Sequence, residues 1–179
     1  ILQLLIEEVS GESFEDYMQR VVFRPLGMEH SSYRWETQPD SMLATSYDGQ
    51  SRPAAYDRFA AVPATSLYTS AADLTRFIQA QLPGKNGEPP GRGVLSPATM
   101  TEMWRPHASK FGENIWGLGT MLYARNGTSS FVVGHDGSNT PAINTAARFD
   151  PATGNGIVVL ETGRPALATA LAGEWIFWA

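Results

Sequence analysis

The segment Gly134-His135-Asp136-Gly137-Ser138-Asn139 is where the residue types of this chain come closest to chemistry. It sets an imidazole, a carboxylate and a hydroxyl among glycines, just after the apolar run Phe131-Val132-Val133. Glycine at a strand end lets a ligand approach the backbone closely. A backbone N–H there can point at an oxyanion, and His135 can hold or donate a proton. The same composition also describes a polar turn with one exposed histidine, and turns are the commoner home of such residues. A second hydroxyl-rich stretch runs from Pro63 to Ser70. There Ser70 reads as a helix cap, and Ser66 lacks the Gly-x-Ser-x-Gly setting of a nucleophile elbow.

Other chemistries are excluded early. His30, His107 and His135 are the three histidines, widely separated and without His-x-x-x-His spacing, so no helix-borne zinc site is predicted. With no cysteine, a disulfide framework and a thiolate metal site are both ruled out. No cofactor is implied. The 11 Arg and 2 Lys are scattered through a chain of net charge −5, which gives no electrostatic footprint for nucleic acid. No apolar run approaches the roughly 18 residues of a membrane-spanning helix. The 179 residues, 42% apolar and 17% charged, suffice for one domain or an incomplete part of one.

The elements that must position the 134–139 segment follow from periodicity. Leu2, Leu5, Ile6 and Val9 form one stripe of a helix that ends at Ser10-Gly11. The chain thus opens inside an amphipathic helix, an expectation that residues are missing upstream. Ser13 with Asp16 marks a second start, Phe14, Tyr17, Met18, Val21 and Val22 its apolar face, and Pro25 and Gly27 its end. Residues 29–68 lack sustained periodicity and read as a long irregular excursion, either functional or a surface insertion packed by its aromatics. Ser70 with Asp73 opens a helix to about Leu82, a Gly/Pro-rich loop follows, and Ser96-Pro97 opens another to about Trp104.

The period then changes. Strands are predicted over 117–124, 130–135, 143–150 and 156–162, the last mostly apolar and buried, with a turn at 151–156. Asn126-Gly127 is a hairpin signal between the first two; with Thr128 it also fits a glycosylation sequon, for which the turn reading is preferred. An apolar helix follows over 165–178. Helices, then a run of antiparallel strands, then a helix indicate α+β, with helices packed on an antiparallel sheet.

Four ordered segments carry a resemblance. VSGESFEDYMQRVVFRPLGMEHSSY is similar to a helix ending in Pro-Leu-Gly-Met. PATSLYTSAADLTRF, Ser96-Pro97 with Trp116-Gly117-Leu118-Gly119, and GHDGSNTP followed by ARFDPATGNGIVVLETG complete the set. Together they resemble the serine beta-lactamase-like hydrolases: class C beta-lactamases, penicillin-binding DD-peptidases and related esterases. The likeness covers nearly all of the chain and implies residues 1–179 as the C-terminal portion of a single, incomplete beta-lactamase/transpeptidase-like domain.

The resemblance also implies a mechanism. Such enzymes acylate the Ser of a Ser-x-x-Lys motif, use a Tyr- or Ser-x-Asn motif in proton transfer, and close the site with a Lys/His-x-Gly strand. Only the third element maps here. His135, Gly137 and Ser138 would be the catalytic-site residues: His135 in the Lys/His position, Gly137 leaving room for the acyl group, and Ser138 lending its N–H to an oxyanion hole. Asp136 and Asn139 would border the substrate. Residues Leu82 and His107 stand three before the two lysines, so no Ser-x-x-Lys exists, and no asparagine follows Tyr or Ser by two. Thr65-Ser66, Thr140-Pro141-Ala142 and Glu161-Thr162 replace residues usual in the family. Asp136 adds a negative charge where such substrates commonly carry a carboxylate. These departures point to an esterase- or peptidase-like relative rather than a typical beta-lactamase.

Two readings follow. In the first, the chain is part of a serine hydrolase of ester, peptide or lactam bonds, silent by itself, with a small-molecule or peptide substrate in the parent protein. In the second, it is a non-catalytic binding domain derived from that fold. Missing strands predict an open sheet edge available for pairing. A Ser/His/Asp triad built from this chain is disfavoured because adjacent His135 and Asp136 would face opposite sides of a strand. By family resemblance the parent protein is expected to be periplasmic or extracellular.

Overall fold

Three of the helices begin at a serine whose hydroxyl accepts a backbone N–H three residues on, the arrangement that satisfies an otherwise orphaned donor. Ser13 Oγ accepts from Asp16 N, Ser70 Oγ from Asp73 N and Ser96 Oγ from Thr99 N. These caps start α2 (Phe14–Met18), α4 (Ala71–Gln81) and α5 (Pro97–Met103). They follow α1 (Leu2–Ser10), which stops at Gly11 in the left-handed conformation; α3 (Val62–Thr65) precedes α4. The computed structural model describes residues 1–35, 40–124 and 131–177.

The predicted single helix from Ser13 is α2 followed by a wider π-helical turn over Gln19–Phe23. Phe23 from this turn is 2% exposed and stacks on Tyr33 at 5.9 Å. Residues 29–68 are irregular as expected, apart from one 3-10 turn, α3 and isolated bridges such as Ser32 to Tyr68. Trp35 packs on Tyr56 and Tyr68. Two buried carboxylates hold the start of this excursion. Glu15 accepts from Ser32 Oγ and Tyr33 N. Asp73, fully buried, accepts from His30 N at 2.7 Å, Ser31 Oγ at 2.9 Å and Arg76 Nη1 at 2.7 Å. Buried charges persist only with such partners.

Six strands form one antiparallel sheet in the order β1 (Ala108–Lys110), β2 (Glu113–Trp116), β3 (Met121–Ala124), β4 (Phe131–Asn139), β5 (Ile143–Phe149), β6 (Gly156–Thr162). On one face, Ile78 and Leu82 pack against Leu122, Val133 and Phe149, with Trp104, Phe131, Ala147 and Val158 at the margin. On the other, Ala146 meets Ala168 and Ala172 of α6 (Leu167–Ile176), flanked by Ile157 and Val159. Alanines at the contact let the helix lie close to the sheet. The α+β class with helices on an antiparallel sheet is the one the sequence pattern predicts.

Several expectations change. The predicted strand 117–124 is half a strand. Residues 117–120 turn instead, with Gly117 N bonded to Thr120 O and Thr120 Oγ1 to Met103 O, and β1 and β2 precede them. The strand predicted over 130–135 does not give way to a turn at Gly134. It continues to Asn139, because β5 pairs with it residue by residue from Val133–Phe149 to Asn139–Ile143. The chain reverses at Thr140-Pro141, joined by a cis peptide bond. β6 is half-buried rather than buried, since it is the terminal strand and pairs on one side only. The α1 stripe has no described cover: Leu2, Leu5 and Val9 are exposed. The Asn126-Gly127 signal and the sequon lie outside the described residues. No described helix is long and apolar enough to cross a membrane.

Candidate functional site

β4 outruns β3. The two pair from Met121–Gly134 to Ala124–Phe131, and no described strand pairs with His135–Asn139 on that side. The five predicted site residues are therefore consecutive on a strand that is paired on one side by β5 and open on the other.

Strand alternation divides them. His135, Gly137 and Asn139 share the face of Val133, toward α3 and α4; Asp136 and Ser138 share the face of Ala146, toward α6. Asn139 Nδ2 donates to Thr65 O of α3 at 3.3 Å, tying the far end of the strand to the irregular excursion. His135 is exposed, and its ring lies 5.4 Å from that of Trp116. Its Nδ1 is 2.6 Å from the carbonyl oxygen of Asp136. A carbonyl only accepts, so Nδ1 carries the proton, and Nε2 of the neutral ring is left with its lone pair.

Asp136 has a partner that sequence reasoning did not find. Arg148 Nε donates to Asp136 Oδ1 at 3.0 Å and Nη2 to Oδ2 at 2.6 Å. The side chains are 6% and 18% exposed, and the guanidinium lies 4.0 Å above the Tyr123 ring. The feared repulsion of a substrate carboxylate is thus offset at its source, by a cation on the same face of the sheet. Burial, and after it the Asp136 charge, pushes the Tyr123 hydroxyl well above its usual ionisation range. The signal for Arg148 was legible in principle: in INTAARF the alternate residues Asn144, Ala146 and Arg148 are one buried face, and a buried arginine demands an acid.

Gly137 is held for a local reason. A Cβ there would lie 2.5 Å from Thr145 Oγ1 on the neighbouring strand. Asn144, 2% exposed, braces the same point, donating from Nδ2 to Gly137 O at 3.0 Å and accepting from Thr169 N of α6 at 3.1 Å. Trp116, Arg148 and Asn144 are the additions of the structure to the predicted site.

Two cavities among the described residues lie away from β4 residues 135–139. One of about 460 Å³ is lined by Glu15, His30 and Arg34 among others, and one of about 370 Å³ by Trp104, Phe131 and Pro151. Among the described residues no group of three His, Asp or Glu side chains is disposed to hold a metal ion.

The chain as a whole is similar to known proteins. The family model described as Beta-lactamase matches residues 1–174. A putative penicillin-binding protein, PbpX of Bacillus subtilis (strain 168), is 33% identical over 89 residues, 48% of this chain and 23% of that protein. The octameric penicillin-binding protein homologue from Pyrococcus abyssi superposes with a TM-score of 0.71 at 26% identity, covering 97% of this chain and 40% of that one. A beta-lactamase/D-alanine carboxypeptidase from Pseudomonas syringae gives 0.77 at 16% identity, with 99% and 56% covered. The chain spans about a quarter of the curated relative and roughly half of the structural ones.

Proposed function

This chain belongs to the beta-lactamase family, and from that premise we propose that it is the strand-edge part of a serine hydrolase acting by acyl transfer on an ester, peptide or lactam bond. The observation that carries this reading is the overhang of β4: five residues, His135–Asn139, with an edge that no described strand pairs on one side and a braced partner strand on the other. An open edge can receive an extended substrate through main-chain hydrogen bonds.

In this reading the acyl group lies along β4. The Ser138 N–H stabilises the oxyanion that forms as the carbonyl is attacked. His135, tautomer set by the Asp136 carbonyl, presents Nε2 as a proton acceptor when neutral and as a cation when protonated. Gly137 keeps the strand surface free of a side chain. Asn139 borders the substrate and holds the strand through Thr65, while Asp136 holds it from the opposite face through Arg148. The nucleophile and its lysine are not supplied by this chain, which has no Ser-x-x-Lys and no Tyr- or Ser-x-Asn. The same edge would hold a peptide without turning it over, which is the second reading, a binding domain; the missing motifs favour that for the 179 residues alone.

The test uses a fluorescent penicillin and a fluorophosphonate. The 179-residue chain is expected to stay unlabelled, and a protein that carries it together with a Ser-x-x-Lys segment to be labelled on that serine. His135→Ala in that protein is expected to lower kcat/KM on a p-nitrophenyl ester about tenfold or more. Stoichiometric labelling of a serine in the isolated chain, or unchanged turnover in the variant, overturns the assignment.

A further inference from the structure

Resting on the reading of the β4 edge as the substrate edge, we infer that Trp116 determines specificity there, selecting ligands that carry a flat apolar group at the His135 end. Trp116 pairs with Met121, and Met121 with Gly134, so its backbone lies level with the residue just before the open segment, and the indole reaches across to the His135 ring although that row belongs to the α6 face. Its ring is 5.4 Å from that of His135 at an interplanar angle of 56°, and both residues keep exposed surface. Together they make an aromatic wall at the head of an edge whose other residues, Asp136 to Asn139, offer no apolar surface of comparable size.

The backbone that carries Trp116 and the His135 ring are both held in place. Trp116 O accepts from His107 N at 2.8 Å. The next residue, Gly117, has no room for a side chain: a Cβ would lie 2.0 Å from Met103 O. Leu118 N and Thr120 Oγ1 both donate to that same carbonyl at the end of α5. On the facing side, the bond from Nδ1 to the Asp136 carbonyl orients the His135 ring. A ligand ring therefore meets an oriented imidazole and an indole on a held backbone, and loses less to reorganisation than it would against a mobile loop. Aromatic pairs of this kind are worth roughly a factor of 2–12 in affinity beyond area burial.

The experiment is a pair of NMR titrations on the 179-residue chain, with N-benzoylglycine and N-acetylglycine as probes. They share the amide and the carboxylate and differ in the ring. Both are expected to move the His135 imidazole signals, the benzoyl probe binding about fivefold more tightly and giving cross-relaxation from its ring to the Trp116 indole. Trp116→Leu is expected to bring the ratio to near one, and Trp116→Phe to hold it above one. A retained ratio in the leucine variant overturns the inference; should that variant not fold, equal affinities in the unmodified chain, or benzoyl contacts away from Trp116, overturn it as well. If both probes move His135 equally, the strand-edge reading stands and the role of Trp116 falls. If neither moves His135, the strand-edge reading falls too.

Discussion

Arg148 closes a two-pronged ion pair on Asp136 across the β4–β5 boundary, its Nη2 2.6 Å from Oδ2, while its flat face covers Tyr123. This one relationship changes what the acid at position 136 means. In the sequence it is an unexplained negative charge beside a histidine. In the fold it is half of a largely buried, neutralised pair on the side of the sheet away from His135, and it pins the strand that carries the candidate site.

Breaking that pair leaves a buried charge without a counter-ion. Arg148→Met is expected to destabilise the chain by about 3–5 kcal/mol, read as a lowered urea midpoint. The double variant Asp136→Asn/Arg148→Gln is expected to recover part of the loss. A midpoint unchanged in the single variant would sink the assignment.

Gly137 is expected to resist even a methyl group. Its Cβ position is 2.5 Å from Thr145 Oγ1, so Gly137→Ala is expected to cost roughly 1–3 kcal/mol from overpacking. Thr145→Ala in the same chain removes the obstructing hydroxyl and is expected to reduce that cost. Equal stability losses with and without Thr145→Ala would show that the obstacle is not this contact.

Asp73 holds the turn at His30-Ser31 against α4 with two hydrogen bonds, and accepts a third from Arg76 of its own helix. Asp73→Ala is expected to cost about 3 kcal/mol, since buried donors lose their acceptor. Asp73→Asn, which keeps one acceptor oxygen, is expected to fall between the two. Hydrogen exchange at the His30 amide checks the mechanism directly, because that N–H should lose protection in the alanine variant.

Alkaline pH should weaken the fold through Tyr33. Burial first, and the Glu15 charge second, push its hydroxyl up to about 12. The unfolded chain loses that proton near pH 10. The contribution is therefore complete below about pH 10 and declines as pH rises toward 12, where the unfolded state binds fewer protons than the native one. Tyr33→Phe is expected to flatten the decline between pH 10 and 12 without abolishing it, because Tyr123 is raised in the same direction. An identical slope in the variant would rule Tyr33 out as a source.

Local signals read well where the physics is local. Ser13, Ser70 and Ser96 each cap the helix that their spacing predicts, because a serine hydroxyl and the backbone N–H it satisfies lie within three residues. The alternation in INTAARF gave β5 for the same reason. The segment at Gly134–Asn139 did not read as a strand, since glycines and polar residues carry weak strand propensity and its pairing partner lies beyond the next turn. Only β5 makes it one.

The sequence by itself determined the α+β class and the family likeness, and it proposed the five residues of the candidate site, since these rest on residue type, order and short-range spacing. It also determined that this chain holds no Ser-x-x-Lys. Tertiary structure alone decided that β4 runs on to Asn139, that Arg148 neutralises Asp136, and that Trp116 stands beside His135. Each of these depends on strand register, and register is settled by the packing of two whole sheet faces against α4 and α6 rather than by any neighbour in the sequence.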